Sequence, residues 1–284
     1  VVEPVVVLLG RGRVPADTPL LRADDLGVLR GDGVFETTHV RDGQPWLLDE
    51  HLARMRRSAD LLELDLPSEA DLRELVDTAC EGWPAEVEGA VRLVCTRGPE
   101  SGGPVTVYAT LNPVAPQLLE TRRAGIAVVT GTLGISSEVR SQAPWLLGGA
   151  KALSYAVNMA SQRWAREQSA DDVLWTSLDG YALEGPTSNL LWLDGDELCT
   201  VPAAATGILP GITVSWVLGQ AGRFGWRAVE RMVRPADLLT MDGVWFTSSI
   251  RGVVPVRSLD GVALRPASST AELQRLVGHP VAEH

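Results

Sequence analysis

Lys151 is the only lysine in a chain of 284 residues, and it lies in the stretch Gly148-Gly149-Ala150-Lys151-Ala152-Leu153-Ser154-Tyr155. A lysine amine in a dry pocket or beside another positive charge gives up its proton and attacks carbonyl carbon, whereas an arginine stays protonated. Its apolar neighbours, with Trp145-Leu146-Leu147 before them, predict burial. Downstream, Glu184 closes a short strand after an Asp179-Gly180 turn and precedes Gly185-Pro186-Thr187-Ser188-Asn189. A carboxylate there can pair with a protonated ring nitrogen and hold its proton in place. Further on, Gly207-Ile208-Leu209-Pro210-Gly211-Ile212-Thr213 runs into an apolar helix, so that backbone N–H groups and the helix dipole can meet a phosphate while Thr213 adds a hydroxyl. Each feature alone has a plainer reading, as a surface lysine, a turn glutamate and a glycine turn. Together an amine, an acid and an anion cradle are the parts that a phosphorylated aldehyde cofactor requires.

Local patterns predict the elements that position these groups. Gly33–Leu48 reads as strand, Asp42-Gly43 turn, strand. Leu52, Met55, Ala59 and Leu62 recur at helical steps behind Asp49, which reads as the cap. Ser68-Glu69-Ala70-Asp71 resembles a capping box opening a second helix to about Cys80. Val91–Thr96 and Val105–Leu111 alternate as strands around the bend Gly98–Pro104, and Val5–Leu9 reads as a buried strand. Periodicity is lost at Asn112-Pro113-Val114-Ala115-Pro116, which predicts a linker over 114–122 between an N-terminal domain, 1–113, and a larger domain, 123–284. Helices are expected near 154–168, 212–224 and 269–277.

A net charge of −11 without a Lys/Arg-rich run argues against nucleic acid or an anionic membrane as partner, so an anionic substrate needs individually placed arginines. Cys80, Cys95 and Cys199 show no Cys-x-x-Cys spacing, and the four histidines are dispersed. Neither a disulfide framework nor a metal site is expected, and a reducing cytoplasm fits. His51 reads as part of the helix framework around Arg54 rather than as a catalytic group.

The lysine, glutamate and glycine-turn motifs resemble the fold-type IV pyridoxal-phosphate enzymes, which include branched-chain aminotransferases, D-amino acid aminotransferases and 4-amino-4-deoxychorismate lyases. The resemblance runs from about Gly31 to about Pro255. It implies a mixed α/β, two-domain, D-amino acid aminotransferase-like fold and a homodimer. It implies pyridoxal 5'-phosphate held by Lys151, with Glu184 facing the ring nitrogen inside a Glu-Gly-x-x-Ser-Asn pattern that includes Ser188 and Asn189. Ile212, Thr213 and Ser249 of Thr247-Ser248-Ser249 become phosphate contacts, Arg54 of Glu50-His51-Leu52-Ala53-Arg54 a charged clamp, and Tyr155 a neighbour of the phenolic oxygen.

On the substrate side, Phe35 of Gly31-Asp32-Gly33-Val34-Phe35-Glu36 stands where D-amino acid aminotransferases carry tyrosine. Pro99–Pro104 also lacks the arginine and histidine that trap a carboxylate in that group. Phe35, the Thr37-Thr38 pair with Thr38 as substrate contact, and Lys-x-Leu-Ser-Tyr-Ala-Val-Asn-Met-Ala are closer to the lyases. Arg92 and Arg251 are candidate receptors for substrate carboxylates, against the plainer reading that they pair with some of the 36 acidic residues. The reaction this implies is loss of pyruvate from 4-amino-4-deoxychorismate to give 4-aminobenzoate, on the folate route. Alternatives are transamination of D-amino acids, branched-chain amino acids or (R)-amines, and a non-catalytic ligand-binding homologue.

Overall fold

A computed structural model describes residues 2–278. They form two compact units: the chain through Ala115 joined by Ala150–Tyr155, and Pro116–Gly149 joined by the chain from Ala156 onward.

The first unit contains β1 (Val5–Leu8), β2 (Gly12–Val14), α1 (Leu26–Arg30), β3 (Gly33–Arg41), β4 (Gln44–Pro45), α2 (Leu48–Leu61), α3 (Glu69–Cys80), β5 (Gly89–Thr96) and β6 (Thr106–Pro113). Its strands make a six-stranded antiparallel sheet in the order β2-β1-β6-β5-β3-β4. Alternation along β3 sends Val34, Glu36, Thr38 and Val40 to one face and Phe35, Thr37 and His39 to the other. The apolar stripes of α2 and α3, among them Leu52, Met55, Leu72 and Leu75, close over the first face together with Val91, Leu93, Ala109 and Leu111. The β3–β4 turn places Asp42 and Gly43 at φ 51° and 71°, the left-handed pair that a tight hairpin requires. Ser68 and Asp71 form the expected capping box of α3. Asp49 does not cap α2: the helix begins one residue earlier behind Leu47, and Asp49 sits in the first turn, where its charge still meets the dipole.

The segment carrying Lys151 belongs to this unit, not to the body of 123–284. β4 pairs only with the Val40–Arg41 end of β3, which leaves the edge at Gly33–Phe35 available. Residues 151–153 take it: Phe35 N–H donates to the Lys151 carbonyl (3.1 Å), Leu153 N–H donates to the Gly33 carbonyl (2.9 Å), and Ala152 bridges Val34.

The second unit contains α4 (Pro116–Ala124), β7 (Ile126–Thr132), α5 (Val139–Gln142), α6 (Ala156–Glu167), β8 (Asp172–Thr176), β9 (Glu184–Gly185), β10 (Ser188–Asp194) and β11 (Glu197–Thr200). It continues through α7 (Ala203–Thr206), α8 (Ile212–Gly219), β12 (Arg227–Glu230), α9 (Pro235–Leu238), β13 (Gly243–Ser248), β14 (Gly252–Leu259), β15 (Val262–Ala263) and α10 (Thr270–Leu276). The main sheet path is β12-β11-β10-β13-β14-β7-β8, with parallel pairs at β11/β12, β14/β7 and β7/β8. Leu190, Trp192, Phe246 and Val254 lie at the centre of its core. The segment read as a linker is largely helix: Pro116 opens α4, where its missing N–H has no partner to lose, and the Arg122 carbonyl accepts from the buried Gln274 amide at 2.6 Å.

Gly31 ends α1 at φ 69°, and a Cβ there would lie 2.7 Å from Ser154 Oγ and 3.0 Å from Ser154 Cα. Gly10 has a similar φ of 75°, but a methyl there would meet open space. Gly10→Ala is therefore expected to cost only the left-handed strain, about 1–2 kcal/mol. Gly31→Ala adds a clash with the lysine-bearing segment and has the larger effect. Urea midpoints of the two variants check this; equal losses would mean that Ser154 yields without resistance.

Candidate active site

In the first unit the candidate residues gather on and beside β3. Lys151 is half-buried; its backbone N–H donates to Ser58 Oγ (3.0 Å), and Ser58 Oγ in turn donates to the Arg54 carbonyl (3.0 Å). Its Nζ lies 3.3 Å from Tyr155 Oη and 4.4 Å from the centre of the Phe35 ring. Phe35 and Tyr155 meet edge to face at 5.1 Å. The Arg92 guanidinium sits 5.8 Å from the same Phe35 ring, and Arg92 pairs with Thr37 across β3 and β5. Thr37 Oγ1 is buried on this face with no hydrogen-bond partner among the described residues.

Thr38 points the other way. It is buried and its hydroxyl donates to the Trp46 carbonyl at 2.6 Å. The period of two along β3 thus puts Thr37, not Thr38, on the face that carries Phe35.

Behind that face, Arg54 Nε and Nη2 fork onto the Glu36 carboxylate at 2.7 and 2.8 Å, and His51 Nδ1 reaches Glu36 Oε2 at 2.7 Å. All three side chains are buried. Burial opposes ionisation of Glu36, but Arg54 and His51 outweigh it and hold its carboxyl well below the ordinary value. Burial pushes His51 down, against the pull of Glu36. Sequence reasoning placed His51 in the framework of Arg54 but gave Glu36 no role; a glutamate at a position whose alternation faces the helices was the available signal.

In the second unit Glu184 is buried in β9 and receives Leu209 N–H (3.2 Å to Oε2) and Arg140 Nη1 (3.4 Å to Oε1). Asn189, its cross-strand partner in β10, donates Nδ2 to the Leu209 carbonyl at 2.8 Å. Both faces of one residue's backbone, that of Leu209, are thereby tied to the hairpin that holds Glu184. Arg140 and Leu209 were not singled out from the sequence, since both act across long separations. Gly211 caps α8 without a side chain, and a Cβ there would collide with Asn189 Oδ1. Ile212 and Thr213 open α8, and the buried Thr213 Oγ1 has no hydrogen-bond partner among the described residues. Ser249 is half-buried in the turn between β13 and β14.

Arg251 is engaged by its own chain. Its Nη1 donates to the fully buried Asp172 at 2.8 Å, and its Nη2 reaches Ser188 Oγ (3.1 Å) and Thr187 Oγ1 (3.3 Å).

Comparison with known proteins identifies the family. The model of the family described as amino-transferase class IV matches residues 33–259. The chain belongs to that family. It is 40% identical over 277 residues, 95% of this chain and 96% of the relative, to the bifunctional aminodeoxychorismate lyase / D-amino acid transaminase of Mycobacterium tuberculosis. A hypothetical aminotransferase from the same organism, solved in a PLP-bound form, matches at TM-score 0.92 and 38% identity, covering 97% of each chain. A fold IV transaminase from Curtobacterium pusillum matches at TM-score 0.92 and 35% identity, covering 97% of this chain and 99% of its own. The fold is that of the fold-type IV aminotransferases, and the chain is a pyridoxal-phosphate-dependent enzyme of class IV.

Each unit carries groups of the kind that cofactor requires. An orphaned hydroxyl at the uncapped start of α8 is a donor set for a phosphate, and the carboxylate of Glu184 is an acceptor for a ring N–H. Lys151 would supply the amine that an aldehyde needs, beside a phenol and an aromatic ring.

The buried Glu36 pair carries a pH dependence of its own. Because the folded-state carboxyl titrates below its unfolded value, the pair stabilises fully above about pH 4.5 and loses that contribution as the pH falls further. Glu36→Gln leaves Arg54 buried without its counter-ion and is expected to lower stability by about 3–5 kcal/mol at pH 7. The deficit relative to wild type should shrink steadily below about pH 4. Chemical denaturation from about pH 3 to about pH 7 measures it; a deficit independent of pH would dissociate Glu36 from the acid limb.

Proposed function

We propose that this class IV enzyme is a 4-amino-4-deoxychorismate lyase, releasing pyruvate and leaving 4-aminobenzoate. The observation that carries the reading is the Phe35 face of the first sheet, where the Lys151 amine lies 4.4 Å and the Arg92 guanidinium 5.8 Å from the centre of the same phenylalanine ring. A carboxylate-bearing substrate bound at Arg92 would be held beside the ring that Lys151 also contacts. The loop after Gly98 offers no cation of its own: Glu100 pairs with Arg30, and Ser101 donates to Asp24 at 2.7 Å. That loop is unlike a carboxylate trap, which weakens the case for a dedicated D-amino acid aminotransferase. The bifunctional name of the 40%-identical relative favours transamination of D-amino acids as a second activity at the same site.

In this reading Lys151 attaches pyridoxal phosphate and Glu184 partners its ring nitrogen. Ile212, Thr213, Ser249 and Arg54 serve the phosphate, and Tyr155 the phenolic oxygen. When bound, the cofactor supplies an electron-withdrawing ring that stabilises a carbanion at the substrate carbon bearing nitrogen. Lys151 Nζ, once displaced by the substrate amine, accepts the proton from that carbon and can return it elsewhere. Tyr155 Oη, within hydrogen-bond reach of Nζ, orients the amine between these tasks. Leu209 N–H and Arg140 hold the Glu184 carboxylate where it can keep a ring proton. Arg54, fixed by Glu36, is presented as a rigid cation rather than a mobile one. Ser188 and Asn189 act through the hairpin, since the first accepts from Arg251 and the second donates to Leu209. We further propose a homodimer in the cytoplasm. Among the described residues no helix is long and apolar enough to cross a membrane. The three cysteines are free and buried, with Cys80 and Cys95 pushed up to about 12 by burial.

Lys151→Ala should abolish turnover and the borohydride-trappable attachment of cofactor, since no second lysine can replace it. Mass spectrometry after reduction reads this directly; an adduct with retained activity in the variant would remove Lys151 from the site.

The wild-type kcat/KM for conversion of aminodeoxychorismate should exceed that for D-alanine with an oxo-acid acceptor. Arg92→Ala should raise the lyase KM about 10-fold or more, the worth of a lost charged hydrogen bond. Efficient D-amino acid transfer with no pyruvate from aminodeoxychorismate would replace the lyase with the transaminase and leave the cofactor assignment standing.

A further inference from the structure

The segment between Glu184 and Asn189 is held from outside at three successive residues. Asn158 Nδ2 of α6 donates to the Pro186 carbonyl at 2.6 Å. Thr187 Oγ1 meets Gln162 Nε2 of α6 at 3.4 Å and Arg251 Nη2 at 3.3 Å. Ser188 Oγ accepts from the same Arg251 nitrogen at 3.1 Å. The other end of the guanidinium is anchored by Asp172 Oδ2 at 2.8 Å. Asp172 has 0% exposure, and its second oxygen receives Val173 N–H (3.0 Å) and Gln162 Nε2 (3.5 Å).

A buried ion pair is a weak source of stability, because desolvating both charges offsets most of their attraction, and an apolar pair of the same volume often does as well. What an apolar pair cannot do is aim donors at two neighbouring hydroxyls. Gly185 makes room for this: a Cβ there would approach Ser188 Oγ to 2.7 Å and the Phe246 ring to 2.8 Å, so a larger residue would crowd the serine hydroxyl that Arg251 engages. Ser188 pairs with Gly185, and Asn189 with Glu184. Fixing Thr187 and Ser188 therefore fixes the strand on which the Glu184 carboxylate is mounted.

We propose that Arg251 and Asp172 are positioning residues for the reaction, acting through Thr187 and Ser188 to hold Glu184. This rests on the reading that Glu184 partners the cofactor ring. It assigns the buried pair a role in kcat and in the electronic state of the bound cofactor, and none in substrate affinity.

The experiment uses the holoenzyme and the variants Arg251→Gln, Asp172→Asn, their double variant and Arg251→Lys. Each is measured for kcat, KM, the pH dependence of the bound cofactor's visible absorption, and thermal unfolding. Arg251→Gln should lower kcat about 10- to 100-fold, the scale of a small misplacement at the reacting centre. KM should be unchanged and the pH midpoint of the cofactor band displaced. Asp172→Asn should reproduce both effects, the double variant should be no worse than either alone, and Arg251→Lys should recover part of kcat. If either charge variant does not fold, Thr187→Val with Ser188→Ala removes the acceptors while keeping the ion pair, and must show the same loss of kcat and the same spectral displacement. A raised KM with kcat and band intact would make Arg251 a substrate receptor. Lowered thermal stability with kcat and band intact would make the pair merely structural. Glu184→Gln, run beside these, separates the two ideas: an undisturbed band and kcat there defeats the ring-partner reading itself. A disturbed Glu184→Gln with undisturbed Arg251 variants overturns only the positioning role.

Discussion

Glu36 is the carboxylate around which the first unit is arranged, because it is a full negative charge inside a core that otherwise excludes water. Such a group persists only if its lone pairs are saturated by cationic or polar donors. Arg54 and His51, one turn apart on α2, provide them from a single direction. The requirement fixes the rotation of α2 over the sheet, since any turn of the helix that buried a different stripe would strand the charge. Ser58, one turn beyond Arg54, then lies where its hydroxyl can receive the Lys151 N–H. The backbone position of Lys151 is thus set by a helix whose own orientation is set by a buried acid. Loss of Glu36 would propagate to Lys151 by this path, although the two side chains have different tasks.

The second unit solves a similar problem with the main chain. Leu209 contributes no side-chain chemistry, yet its N–H and C=O are both engaged by the β9–β10 hairpin, one by Glu184 and one by Asn189. The spacing between the Glu184 carboxylate and the start of α8 is therefore held by the backbone of one residue. Peptide geometry varies little, so this ruler is stiffer than one made of side chains. Gly211 makes it possible, as any larger residue would push Asn189 away from the turn.

Features that depend on neighbours in sequence were legible before any coordinates. The Asp42-Gly43 hairpin, the Ser68/Asp71 capping box and the apolar spacing of α2 are all decided within a few residues. Lys151, Glu184 and the Gly207–Thr213 turn stood out through composition and family resemblance. What was hidden depends on pairing at a distance. The move of residues 151–153 onto the edge of β3 follows from how short β4 is, which no local pattern announces. Thr37 and Thr38 are adjacent, so only the register of β3 tells which faces Phe35. Arg251 reads equally as a substrate receptor or as half of an ion pair, and its partner Asp172, far away in the chain, is not named by any local pattern. Glu36 was readable in principle, for it interrupts an apolar series on the helix-facing side.

A phosphorylated aldehyde is a reagent as well as a cofactor, and in solution it condenses with any accessible unprotonated amine. Here the only side-chain amine is at position 151, and the exposed cations, such as those of the Arg22–Asp24 and Arg227–Glu197 pairs, are guanidinium groups. These stay protonated and do not form such adducts. The molecule therefore has charge on its exterior without carbonyl-reactive side chains there. Saturating it with the aldehyde leaves no second side-chain amine to modify, and side-chain imine formation per chain becomes a direct count of occupied Lys151.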